Sequence, residues 1–71
     1  MKINSVQSYQ MRGSRAVVVA STKVEVHYAE ISKIVPHHVP GWSLIELYSG
    51  ETITSNDTPS DVKVAWQSTK S

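Results

Sequence analysis

The run Thr58-Pro59-Ser60-Asp61 is the best-defined local signal in the chain, because it says where a helix must begin. Thr58 can cap the first turn, Pro59 suits the first helical position, and Asp61 stands third as an acidic variant of the capping box. Val62, Ala65, Trp66 and Thr69 follow at spacings of three and four and form one apolar stripe, while Lys63, Gln67 and Lys70 fall away from it. The spacing predicts a helix over about 59–69, packed onto the rest of the chain by Trp66. What precedes it reads as strands and turns. The expected fold class is mainly β (α+β): two antiparallel hairpins form a small sheet or half-barrel, closed by one C-terminal helix.

Ala16-Val17-Val18-Val19-Ala20 has the densest β-branched composition of the sequence and is apolar on successive residues, which predicts a strand covered on both faces. Ser21-Thr22 suits a tight connection. Lys23 to Tyr28 then alternates, with Val24, Val26 and Tyr28 on one face and Lys23, Glu25 and His27 on the other. These pieces form the first expected hairpin. Residues 1–12 follow neither period cleanly and read as an edge strand or a loose arm, so the single domain is placed at 13–71. Ala29 to Ser32 suits one helical turn, and Lys33-Ile34-Val35 resumes an extended course. Trp42 to Tyr48, the Ser49-Gly50 turn and Glu51 to Thr54 make the second expected hairpin. Between the hairpins, Pro36-His37-His38-Val39-Pro40-Gly41 carries two prolines and a glycine in six residues and predicts a rigid, exposed loop.

Seventy-one residues can bury only one small core, and the absence of cysteine removes disulfides and thiolate metal sites as staples. Self-association is one way for such a chain to gain stability, so a homo-oligomer is expected. The longest uninterrupted apolar run is Ala16–Ala20, and the amino terminus lacks the apolar stretch of a signal peptide, which together predict a cytoplasmic, soluble chain without a membrane partner. Net charge is +1 but unevenly placed. Lys2, Arg12, Arg15 and Lys23 give residues 1–24 a charge of +4, whereas three lysines against six acids give residues 25–71 a charge of −3. Such asymmetry can orient a partner or pair two copies of the chain.

From Val24 to Trp66, about forty-three residues, the order of elements has a recognisable grammar. A strand leads into Glu30-Ile31-Ser32-Lys33-Ile34; then come a strand, the Leu47-Tyr48-Ser49-Gly50-Glu51-Thr52-Ile53 hairpin, and a short helix after Asp57-Thr58-Pro59-Ser60-Asp61-Val62. This order resembles the small flagellar family that includes FlbD, and the core of LytTR-type DNA-binding domains. The resemblance implies a fold and carries no catalytic motif with it; the Pro-His-His-Val-Pro-Gly loop and the basic first segment depart from both families. In size and style the chain also resembles phage or prophage accessory proteins that inhibit or adapt a larger machine.

No catalytic residues are expected. Ser43 and Glu46 near the histidines are the only hint of a nucleophilic arrangement, Gly13, Gly41 and Gly50 are isolated, and Asp57 and Asp61 are explained by turn and helix-start chemistry. The chain is therefore expected not to be an enzyme. Neighbouring His37 and His38 project apart in an extended loop, so neither a metal site nor a cofactor is expected. Two binding surfaces compete instead. His37, His38 and Trp42, on a backbone stiffened by Pro36 and Pro40, would offer a preordered protein-binding loop, with an open sheet edge as the other route to a protein partner or a second copy. Tyr9, Arg12, Arg15 and Lys23 would instead approach nucleic acid, the arginines on phosphate and Tyr9 on a base. A small ligand held between protomers is a third reading, with no residue set of its own.

Overall fold

The computed structural model describes residues 1–70 and is mostly strand, with two antiparallel sheets, no closed barrel and one C-terminal helix. Strands β1 (Lys2–Arg12) and β2 (Arg15–Glu25) make a long hairpin. A 3-10 turn at Tyr28–Glu30 leads into β3 (Ile31–Pro36), β4 (Ser43–Leu47) and β5 (Thr52–Ser55), which form a second sheet in that order, followed by α1 (Pro59–Lys70). β1 lies beside β5, so the two sheets wrap one interior.

The first hairpin turns at Gly13-Ser14, not at Ser21-Thr22 as the composition suggested. Gly13 supplies φ +64° where a two-residue hairpin turn needs a positive value, and Arg12 pairs with Arg15 across it. Once the turn is made there, residues 2–12 become the partner strand. Ser21 and Thr22 stay in β2, opposite Val6 and Ser5. The uneven period of residues 1–12 has its cause in the same place. The ladder slips around Gln7 and Val19, neither of which has a partner, and a two-stranded ribbon twists strongly. Ile3, Val6 and Tyr9, three apart, are the side chains of β1 that join the two cores.

The Ala16–Ala20 stretch is not covered on both faces. Ala16 and Val18 are half-buried against the loop after β3, whereas Val17 and Val19 are 43% and 59% exposed. A ribbon of only two strands has nothing to lay over its second face.

Two apolar clusters hold the fold. The larger joins Ile3, Val26, Ile31, Ile34, Ile45 and Val62, with Val24, Leu47, Ile53 and Trp66 packed around it. The helix begins as the sequence requires: the Asp61 N–H donates to Thr58 Oγ1 at 3.2 Å, and Pro59 is the first helical residue. Val62 is buried, and the Trp66 indole N–H donates to the Tyr28 carbonyl at 2.9 Å, tying the helix to the 3-10 turn. Ala65 and Thr69, read as part of the stripe, are exposed.

A polar knot closes the strand ends. Ser43 and Ser55 pair across β4 and β5, and both are fully buried. Ser43 Oγ donates to the Asp57 carbonyl at 2.9 Å, and the Asp57 N–H donates to Ser55 Oγ at 3.3 Å. Asn4 Nδ2 reaches Asp57 Oδ2 at 3.4 Å, which brings β1 into the knot. Among the described residues no buried side-chain polar atom lacks a partner, as the cost of an unmade hydrogen bond demands.

Candidate interaction site at the hairpin arm and the 37–42 loop

The smaller cluster lies towards the Gly13 end of the hairpin and holds one residue from each rival surface, Trp42 from the loop and Tyr9 from the basic segment. Its buried members are Val6, Val39 and Trp42, with Tyr9, Ala16 and Val18 packed on them. The loop is built by its own composition. Val39-Pro40-Gly41-Trp42 is a turn closed by Trp42 N–H donating to the Val39 carbonyl at 3.1 Å, with Pro40 at its second position and Gly41, φ +83°, at its third. That is the pattern of a type II turn. The His37 N–H donates to the Trp42 carbonyl at 3.1 Å and shuts the loop at its base.

The loop is as stiff as its prolines imply, but it is not all exposed. Val39 is 4% exposed and Trp42 8% exposed, so Trp42 serves as a core side chain under the hairpin and not as an open contact surface; β4 starts one residue after it, at Ser43. An indole is the largest apolar group beside the outer half of the ribbon, where Tyr9, Ala16 and Val18 pack on its cluster.

Tyr9 is the hinge of the arrangement. Its ring meets Trp42 edge-on at 4.9 Å between centroids, and its hydroxyl is 3.0 Å from His38 Nε2. The His37 ring stands 4.1 Å from His38, 6.3 Å from Tyr9 and 5.9 Å from Trp42. The Val39 N–H donates to His37 Nδ1 at 3.1 Å, an arrangement that requires the neutral ring with its proton on Nε2. Burial lowers the His37 pKa below the ordinary imidazole value, and the charge of His38 beside it lowers it further.

The residues chosen for nucleic acid do not gather. Arg12 and Arg15 are exposed and face each other across the Gly13 turn, but Tyr9 is half-buried and already hydrogen-bonded, and Lys23 stands opposite Asn4, eight residues along β2 and about 26 Å from Arg15 at strand spacing. A shallow groove of about 230 Å³ runs between the hairpin turn and the loop, lined by Ser14, Arg15, Ala16, Val39, Pro40 and Trp42. A second, of about 220 Å³, lies between Met1, Ile3 and the first turn of α1.

One feature had no signal in the local composition: the outer edge of β2. This strand pairs only with β1, so a backbone edge of eleven residues from Arg15 to Glu25 has no strand beside it among the described residues. Val17 and Val19 stand exposed along it. Reading residues 16–28 as a hairpin of their own gave this strand a partner on the wrong side; only the position of the true turn reveals the open edge. Among the described residues no helix is long and apolar enough to cross a membrane. Among the described residues no group of three or more histidine and acidic side chains is placed to hold a metal ion. No protein-family model, curated protein or solved structure matches the chain.

Proposed function

We propose that this chain is a non-enzymatic interaction module that accepts a strand, from a protein partner or a second copy of itself, along the open edge of β2. The observation that carries the reading is the unpaired edge of β2 with Val17 and Val19 exposed on it. Main-chain groups on an open edge supply affinity to any added strand, and alternate side chains supply selectivity. The register slip at Val19 and the charge of Lys23 discourage pairing over the Glu25 half, which leaves Arg15 to Val19 as the preferred stretch. The 37–42 loop supports this stretch from behind through Ala16 and Val18. Both grooves fall below the roughly 300 Å³ at which small-molecule pockets begin, which favours an interaction role over catalysis.

The test is light scattering on size-exclusion fractions across protein concentration, at low and at about 0.5 M salt. Self-pairing gives a concentration-dependent, salt-resistant assembly that the double variant Val17→Lys, Val19→Lys abolishes. A monomer at every concentration removes self-pairing and leaves heterologous strands as the occupants.

A second reading is nucleic-acid binding at the hairpin turn, favoured by the exposed Arg12–Arg15 pair and by the LytTR-like order of elements. With two cations together, the logarithm of affinity would fall against that of salt with a slope of about two. Arg12→Ala with Arg15→Ala would remove such binding and leave the β2 edge intact.

A further inference from the structure

We infer that His37 is an acid-released latch: its neutral Nδ1 holds the Val39 N–H, and protonation of that nitrogen unseats Val39 and frees the outer half of the β1–β2 hairpin from the loop. The inference concerns the chain's own conformation and stands or falls apart from the strand-binding reading.

Val39 N–H to His37 Nδ1, at 3.1 Å, is a contact between a backbone donor and the lone pair of a neutral imidazole. Protonation converts that acceptor into a donor, so two N–H groups then face each other. The ring must turn away, and the Val39 N–H loses its partner in a part-buried position.

Val39 is the residue whose burial depends on this turn. It shares the smaller cluster with Val6 and Trp42, and on these three rest Tyr9, Ala16 and Val18, the side chains that seat the outer half of the hairpin. Among the described residues β2 has no second neighbour strand to back that half. Loss of the Val39 position therefore acts on the whole arm.

The groups around His37 all favour the same outcome. From the loop, His38 lies 4.1 Å away ring to ring; from β1, Tyr9 presents its ring at 6.3 Å and its hydroxyl to His38; from the start of β2, Arg15 lines the groove beside Val39 and Trp42. Neither His37 nor His38 has a carboxylate within 4 Å among the described residues. A charge on His37 is thus created beside another imidazole, with no carboxylate within 4 Å among the described residues to offset it. The lowered pKa has the same sign. The fold prefers neutral His37, so its contribution to stability is complete above the ordinary imidazole value and is lost as pH falls through the lowered folded value.

The experiment is an NMR titration of the full chain from pH 7.5 to 5, following the imidazole nitrogens, the Val39 amide and the Trp42 indole. At pH 7.5 His37 should carry its proton on Nε2. On acidification the Val39 amide and the Trp42 indole should move together with His37, and Tyr9–Trp42 contacts should be lost. His37→Asn keeps an acceptor near the Nδ1 position without a titrating group; it should abolish the coupled movement of Val39 and Trp42. His38→Asn should retain that movement and shift its midpoint upward by removing the neighbouring charge. A neutral His37 protonated on Nδ1 at pH 7.5 overturns the inference, and this is read in the wild-type chain even if a variant fails to fold. So does a Tyr9–Trp42 contact that survives complete protonation of His37, or an unchanged Val39 transition in His37→Asn.

Discussion

Val39 stands in the most polar-looking loop of the chain, yet it is among its best-buried residues. The loop's stiffness was legible in Pro36, Pro40 and Gly41, because fixed φ values and a positive φ leave few conformations. Its direction was not, since a turn of given type can fold its first residue inward or outward, and the choice depends on what waits opposite. Here Val6 and Trp42 wait opposite. Trp42→Ala should therefore cost about 3–5 kcal/mol, the range for deleting a buried aromatic side chain, as read by urea unfolding. Ser43→Ala removes the donor to the Asp57 carbonyl in a fully buried place and should cost about 1–3 kcal/mol. Thr58→Ala, at the exposed helix start, should cost about 1 kcal/mol. These three values rank core, knot and cap, and a ranking with Thr58 first would show that the smaller cluster contributes little. On the helix itself, Trp66→Ala should be the most damaging alanine substitution, because it removes both apolar cover and the bond to Tyr28.

At the scale of elements, the clearest lesson is how one turn decides a topology. The helix was legible because capping chemistry is local: Thr58, Pro59 and Asp61 act within a single turn. The β4–β5 hairpin was legible because Ser49-Gly50 supplies a turn between the strong Trp42–Tyr48 strand signal and the returning Glu51–Thr54 stretch. The first hairpin was misplaced because Ser21-Thr22 and Gly13-Ser14 both look like turns, and only long-range pairing discriminates between them. Gly13 resolves the matter by its φ of +64°. Gly13→Ala and Gly41→Ala should each destabilise by about 1–2 kcal/mol, even though open space surrounds both positions, because an L side chain resists positive φ. Val17→Lys with Val19→Lys should change stability by no more than about 0.5 kcal/mol while altering association, since both side chains already face solvent. A large loss of stability in that variant would mean that the outer face of β2 is covered in solution.

At the scale of the whole molecule, the chain is a rod of 40 × 19 × 18 Å. Two strands of eleven residues span about 36 Å, so the hairpin runs almost its full length while the larger cluster occupies only part of it. A single continuous hairpin therefore belongs to two regions of different strength, divided near the unpaired Gln7 and Val19. Such a division sets a boundary for exchange with solvent. Backbone amides bonded within the β1–β2 ladder on the Ile3–Val24 side should exchange deuterium only when the entire chain opens, whereas ladder amides between Tyr9 and Val18 should exchange sooner, through an opening that leaves the helix and the second sheet in place. One strand would then report two clocks, and the slip in its ladder would be the point at which one gives way to the other.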